Sequence, residues 1–335
     1  MRILLVKLSS MGDVIHNLPV VSDLAHAFPG AIIDWVTESA YAGLVRLHPG
    51  VANVLTLNLR ALKKQWWAPS PWQQLQQDLQ VLRETQYDAV LDTQGLVKSA
   101  LIARWTHGPR YGLSHDTARE PFAARFYQHH FVINKHDHAV TRNRKLAAAA
   151  LGYTMREPLD YGISGVLPQT PRPAWLSGQR YIVMLHATSR ADKQWPTQHW
   201  VALGKQLQAL GYTLVIPWGG AAEKKTSESL AALLTHAAFP VTSPVVSAIV
   251  PPALALTEAA GLLAGASVVV GVDTGLAHLA VALGRPTVGL YISTSAALTG
   301  LFGSPTAINL GGGSRESPAN PSVDEAFRAI QPWLS

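Results

Sequence analysis

The sequence predicts an α/β protein built from two doubly wound, parallel-sheet domains. Short β-branched runs alternate with helix-period segments along nearly the whole chain, and strict βαβα order implies a parallel sheet covered on both faces. The pattern restarts after GVLPQTPRPAWLSGQR, residues 165–180, a proline-rich stretch without periodicity that reads as a linker. With 335 residues, 48% of them hydrophobic and only 14% charged, the chain has the length for two ordinary domains and the composition of a core-forming protein. The expectation is therefore two Rossmann-like domains facing across a cleft. They cover residues 1–165 and 181–321, separated by a linker at 166–180. A last helix at 322–335 follows a Gly/Ser/Pro-rich stretch and has the option of packing back on the first domain.

In the first half, strands are expected at 3–6, 32–36, 54–57, 89–92 and 111–113, with helices at 19–28, 72–84 and 96–105. In the second half, strands are expected at 181–185, 213–217, 268–272 and 287–291. The helices there are 198–210, 221–235, 257–264 and 275–283. No apolar stretch reaches the roughly 18 residues of a spanning helix, and the first strand is too short for a signal peptide's apolar region. The absence of cysteine excludes a disulfide framework and thiolate metal sites.

A net charge of +6 favours anionic partners. Between Lys98 and Lys145 stand nine Lys/Arg against three acids, together with six histidines. That segment is either a solvated basic face or an anion-binding wall. LRALKKQWWAPSPW, residues 59–72, interleaves Arg60, Lys63 and Lys64 with tryptophans. The pattern suits a membrane interface with anionic lipid, with core-facing tryptophans as the alternative. Nucleic acid is not expected, because stacking aromatics for it normally sit on a sheet or in a groove.

In open parallel sheets ligands bind beyond the carboxyl ends of the strands, so the strand-to-helix loops are where chemistry is sought. The loop after the first strand, LSSMGDVIHNLP, has one glycine and the carboxylate of Asp13 where a phosphate loop would need to attract an anion. VVVGVDTGLAHLAVALG, residues 268–284, ends a strand at Asp273 and opens a small-residue helix at Gly275. The Thr274 and Gly275 amides at that helix N-terminus favour a diphosphate, and His278 shares a face with Thr274. Read for structure alone, Asp273 is an N-cap and His278 a core histidine. LHATSRADKQWP, residues 185–196, offers the Thr188 and Ser189 hydroxyls and the Lys193 ammonium to a departing phosphate, while Arg190 and Asp192 suit a surface pair. In VIPWGGAAEKK, Glu223 can accept hydrogen bonds from ribose hydroxyls or simply occupy a first helical turn. The histidine pairs 129/130 and 136/138 lack a third ligand, and no Asp-x-Asp is present to hold a divalent ion on a diphosphate. No metal and no cofactor are expected; Lys193 and the helix end at Thr274 supply the neutralisation.

Together KLSSMGDVIHNLP, DAVLDTQGLVKSAL, TAREP, HATSRADKQWP, IPWGGAAE and VDTGLAHL resemble the heptosyltransferases of glycosyltransferase family 9, inverting enzymes of GT-B architecture. The resemblance covers nearly the whole chain, and the conjunction of SSMGD, QGLVKSA and TAREP is specific. It implies transfer of L-glycero-D-manno-heptose from the substrate ADP-heptose to a Kdo sugar of Kdo2-lipid A, at the cytoplasmic face of the inner membrane and as a peripheral protein. A second-heptose or related transferase of the family is the near alternative. It further implies that Asp13 is the general base. The donor site would comprise Thr188, Ser189, Lys193, Glu223, Leu254, Asp273, Thr274, Gly275 and His278. The acceptor side would comprise Ser10, Gly12, Arg60, Lys63, Lys64, Lys98 and Arg119. Three positions depart from the family pattern. Ser189 stands where a second threonine is usual, Leu254 replaces a methionine, and YISTSAALTG lacks a proline-bearing turn, which puts diphosphate contacts from 292–295 in doubt. Two rivals remain. A nicotinamide-dependent dehydrogenase would need G-x-G-x-x-G after the first strand, which KLSSMGD does not provide. A non-catalytic anionic-lipid-binding protein leaves Asp13 and the D-T-G loop unexplained.

Overall fold

The computed structural model describes residues 1–64, 67–165, 174–176, 180–188, 190–235 and 247–334, together with the backbone but not the side chains of a few positions such as 60 and 63. Most of the 166–180 linker, Ser189 and Trp66 lie outside the described residues. The chain divides into two compact units, Met1–Ile163 and Ser164–Ser335, a boundary two residues before the one the sequence suggests.

The first unit holds six parallel strands: β1 (Arg2–Val6), β2 (Ile32–Glu38), β3 (Asn53–Leu57), β4 (Ala89–Asp92), β5 (Arg110–Leu113) and β6 (His129–Phe131), in the order β3-β2-β1-β4-β5-β6. The inner strands are buried on both faces, as Ile3, Leu4, Leu5 and Val6 all are, which is why they read as apolar runs without alternation. Asp34 is one of the charges sealed in with them. It accepts from Arg2 Nε at 2.8 Å and from Asn53 Nδ2 at 2.8 Å, so its burial leaves no unpaired carboxylate. The helix Ala139–Leu151, which the sequence reading treated only as part of a basic run, closes this unit. Its Arg144 is buried, donating from Nε to Asp23 Oδ2 at 2.8 Å and from Nη1 to Glu157 Oε1 at 3.2 Å.

The second unit repeats the plan. Its strands are β7 (Tyr181–Leu185), β8 (Thr213–Val215), β9 (Ala248–Ile249), β10 (Val268–Val272), β11 (Thr287–Tyr291) and β12 (Ala307–Gly311). They pair in the order β9-β8-β7-β10-β11-β12, again all parallel. The last helix, Val323–Ile330, begins with a capping box in which Ser322 and Glu325 satisfy each other's backbone N–H. It buries Ala326 and Ile330 in the core formed by Met184, Trp200, Leu203 and Val288. Its apolar stripe is thus spent within the second unit.

In each unit the strand order reverses beside its first strand, between β1 and β4 and between β7 and β10. A crevice opens at such a switch point beyond the carboxyl ends of the strands. The loops after β1, β4, β7 and β10 border these two switch points and carry four of the six sequence motifs; TAREP and IPWGGAAE follow the neighbouring strands β5 and β8.

Candidate active site

At the switch point of the first unit the chain leaves β1 through Lys7, which turns inward and is only 5% exposed. Its Nζ donates to Thr93 O at 2.6 Å and to Asn143 Oδ1 at 3.3 Å. Burial pulls the ammonium down to about 8, against the opposing pull of Asp13 and Asp92. Gln94, from the loop after β4, accepts from Leu8 N at 2.6 Å and donates to Ser9 O, which ties the two loops together. The short helix Met11–Ile15 then starts with Ser10 as N-cap. Asp13 reaches back to Ser10 N at 2.9 Å and Ser10 Oγ at 3.1 Å, both on Oδ2, and Arg119 Nη1 approaches the same oxygen at 3.9 Å. The helix-leading role is therefore real and uses one carboxylate oxygen. Oδ1 is left on a side chain that is about one-third exposed.

QGLVKSA and TAREP form one structure. Glu120 accepts from Val97 N at 2.7 Å at the start of the helix Val97–Trp105, and its own N–H donates to Gly95 O at 3.0 Å. Gly95 has φ +67, a conformation a side chain would strain, while a Cβ there would only touch Arg119 N at 3.4 Å. This docking holds Arg119 beside Asp13, while Lys98 Nζ lies 3.3 Å from Ser9 Oγ. Ser10, Gly12, Asp13, Lys98 and Arg119 are thus assembled at one end of the first sheet. Lys64 is exposed at the end of the helix Leu59–Lys64 and has no bond to this loop. The side chains of Arg60 and Lys63 lie outside the described residues.

The basic run 98–145 is less of a wall than its composition suggests. Arg144 is buried on Asp23, Lys145 Nζ is held by Asp137 at 2.7 Å, and Arg142 Nη2 donates to Thr117 O at 2.8 Å. These cations build the fold.

At the switch point of the second unit, Asp273 is the hub. Oδ2 accepts from Lys193 Nζ at 2.6 Å and from Thr294 Oγ1 at 2.9 Å, and Oδ1 lies 3.7 Å from His278 Nε2. Burial pushes its carboxyl up, but bonding to His278 and Lys193 outweighs this and holds it well below the usual carboxylate range. Thr188 Oγ1 donates to the Asp273 carbonyl at 3.1 Å. The N-cap of the helix Gly275–Ala282 is Thr274, not Asp273, so the carboxylate is free to serve Lys193 instead. Thr188, Lys193, Asp273, Thr274, Gly275 and His278 are thereby brought together. Glu223 accepts from Gly219 N at 2.7 Å, closing the loop after β8. Trp218 Nε1 donates to Pro251 O at 2.8 Å and fastens that loop to the segment carrying half-buried Leu254. Ser189 lies outside the described residues.

The sequence leaves contacts from 292–295 in doubt and does not foretell the bonds that Thr294 and Ser293 make to acidic side chains. Thr294 binds Asp273, and Ser293 Oγ donates to Asp192 Oδ2 at 3.0 Å. Asp192 pairs with Arg190, as the sequence suggests, and also lies 3.4 Å from Arg315 Nε. The signal was present, since S-T-S begins two residues after Tyr291, at the carboxyl end of β11, a strand next to β10. Among the described residues no three His, Asp or Glu side chains cluster as a metal-ligand set.

Two parallel-sheet units of one strand order, with a hydroxyl- and lysine-lined helix end in one and a part-exposed carboxylate in the first turn after β1 in the other, have the plan of a GT-B nucleotide-sugar transferase. The sequence profile of glycosyltransferase family 9 (heptosyltransferase) matches residues 76–325. Lipopolysaccharide heptosyltransferase 1 of Pseudomonas aeruginosa is 41% identical over 308 residues, covering 90% of this chain and 82% of that protein. The solved structure of E. coli heptosyltransferase WaaC with ADP superposes with TM-score 0.87 at 35% identity, over 99% of this chain and 100% of that one. The same enzyme with ADP-2-deoxy-2-fluoro heptose gives TM-score 0.83 at 35% identity, over 99% of each chain. The chain belongs to glycosyltransferase family 9.

Proposed function

We propose that this protein is an inverting heptosyltransferase that moves L-glycero-D-manno-heptose from ADP-heptose to the Kdo region of Kdo2-lipid A, in lipopolysaccharide inner-core assembly. The observation that carries the reading is the cluster of Lys193, Thr188, Thr294 and Asp273 around the Thr274 helix end, in a chain whose relatives of matching length are heptosyltransferases solved with ADP and an ADP-heptose analogue.

The donor diphosphate is taken at the helix end, where the Thr274 and Gly275 amides, the Thr188 hydroxyl and the Lys193 ammonium converge. Glu223 receives the ribose hydroxyls and Leu254 packs on the adenine. In the chemical step Asp13 Oδ1 takes the proton of the acceptor hydroxyl, the acceptor oxygen bonds to the anomeric carbon, and the bond from that carbon to the phosphate oxygen breaks with its electron pair leaving on ADP. One base and no enzyme nucleophile suffice for inversion. Negative charge growing on ADP is met by Lys193, Thr188 and the helix end. Arg119 and Lys98 face the acceptor's carboxylates and phosphates, and the protein works as a peripheral protein at the cytoplasmic face of the inner membrane. No helix among the described residues is long and apolar enough to cross a membrane.

Incubation of the purified protein with ADP-heptose and Kdo2-lipid A, with and without chelator, tests the reading by ADP release. Release that requires both substrates and survives chelation is expected. Release without acceptor, or none with both substrates, overturns it.

A further inference from the structure

The exposed tryptophans among the described residues, Trp67, Trp72 and Trp105, all belong to the first unit, and each is about half or more exposed. Two of them line one groove. Trp72, Leu75 and Leu79 of the helix Pro69–Glu84 face Trp105 at the end of the helix Val97–Trp105, enclosing about 740 Å³. The Arg83 guanidinium lies 5.8 Å from the Trp105 ring centroid, where the ring face attracts a cation.

The groove runs on into a polar basin of about 470 Å³ that shares Arg83, Trp105 and His107 and adds Arg104 and Arg110. No acid lines this basin; Glu84 borders only the apolar groove, where Gln80 binds it at 2.9 Å. Burial and the neighbouring charge of Arg104 both lower the Arg110 guanidinium, so the basin's cations repel one another until an anion arrives.

The helix Val97–Trp105 links this surface to the chemistry. Lys98, Leu101 and Trp105 are spaced three and four apart and share a face, with Leu101 48% exposed. Lys98 meets the Asp13 loop through Ser9, and Trp105 lies two helical turns away, about 10 Å along the axis. Packed alongside, Phe122 is exposed beneath Arg125, whose guanidinium lies 5.0 Å from its ring.

We infer that this aromatic and arginine-lined surface docks the first unit on an anionic lipid bilayer, with the tryptophans at the interface and the Arg83–Arg104–Arg110 basin over phosphate headgroups. The inference rests on the heptosyl-transfer reading for its purpose, since it keeps the first unit at the layer in which a lipid-anchored acceptor is held. An apolar groove continuous with an acid-free cationic basin matches a surface that is greasy a few ångströms below its negative charge. A protein partner would need only one of the two.

The test is flotation of the full-length protein with phosphatidylcholine vesicles, with and without phosphatidylglycerol and lacking acceptor. It is paired with turnover of ADP-heptose on a deacylated, soluble acceptor. Wild type is expected to float only with anionic vesicles. The double variant Arg83→Gln/Arg104→Gln is expected to lose about 25-fold in vesicle affinity, at about fivefold for each cation near the surface. Trp105→Ser is expected to weaken binding as well, and all variants should keep wild-type turnover on the soluble acceptor. Equal binding to neutral vesicles, variants that float like wild type, or variants that lose turnover on the soluble acceptor would overturn the inference. So would a concentration-dependent dimer that the variants abolish without any vesicle binding. If wild type fails on the soluble acceptor, the transfer reading falls; if it turns over there but does not float, only the docking surface falls.

Discussion

Replacing His48 by Gln should remove most of an acid-sensitive increment from the first unit. His48 is 3% exposed. Its Nδ1 accepts from Gly50 N at 3.0 Å, so the ring proton sits on Nε2, 3.0 Å from Ser22 Oγ. Ser22 belongs to the helix Leu18–Ala27, which follows directly on the Asp13 loop, and Gly162 packs so tightly against the ring that a Cβ there would collide with it. No room is left for a second proton or its water. Burial accordingly lowers His48 from 6.5 to about 4, against a modest upward pull from Asp160. Above pH 6.5 both folded and unfolded chains carry a neutral ring, and its contribution is complete. As pH falls from 6.5 to 4 the unfolded chain takes the proton first, so stability drains away through that window. At about 1.4 kcal/mol per pH unit the loss comes to about 3 kcal/mol by pH 4. Urea unfolding of wild type and His48→Gln at pH 7, 5.5 and 4.5, followed by fluorescence, isolates this contribution because every other group titrates in both proteins. The variant should start about 1–2 kcal/mol less stable at pH 7 from the altered hydrogen bonds, and its acid slope should be shallower by most of the calculated amount. Parallel pH profiles for the two proteins would refute the reasoning.

Three further outcomes follow from the geometry. Asp13→Ala should cut transfer by about 10²- to 10⁴-fold while leaving ADP-heptose affinity within a few fold, as calorimetry beside a turnover assay will tell; loss of donor binding would sink the base assignment. Lys193→Gln should lower kcat by about 10²-fold through weaker stabilisation of departing ADP, and transfer from an analogue with a better leaving group should recover part of that loss. Arg144→Met strands the buried Asp23 carboxylate and should cost about 3–5 kcal/mol in denaturant unfolding, whereas adding Asp23→Leu should restore much of it.

Much of this architecture was legible because burial on both faces writes an inner strand as an uninterrupted apolar run. Ala89–Asp92, Tyr181–Leu185, Val268–Val272 and Thr287–Tyr291 coincide with expectation. Of the four edge strands, Asn53–Leu57 was legible and the other three were not. His129–Phe131 and Ala248–Ile249 are three and two residues long, and Ala307–Gly311 has no fully buried residue and opens into glycines; such edges need too little burial to leave a hydrophobic signature. The helix Ala139–Leu151 was hidden by attention to its charges, although four consecutive alanines favour it. At the site, Asp13 and Asp273 stood out because each lies in the segment that leads from a strand into the next helix, a position that is local in sequence. Lys7 and Arg144 did not, since a lysine after a strand and an arginine in a basic run both read as solvated. Only tertiary partners more than 80 residues away in sequence, Thr93 for one and Asp23 for the other, reveal that they are internal.

The Lys193–Asp273 pair has a consequence for discrimination among anions. Lys193 already spends its charge on a carboxylate, so an incoming phosphate gains only the difference between two bonds to the same ammonium. Inorganic phosphate would offer Lys193 little more than Asp273 already does. A ligand profits from the exchange only if it also collects the Thr188 hydroxyl and the Thr274 helix end in the same stroke. The pair thus works as a threshold that rewards multipoint ligands and discounts small ones.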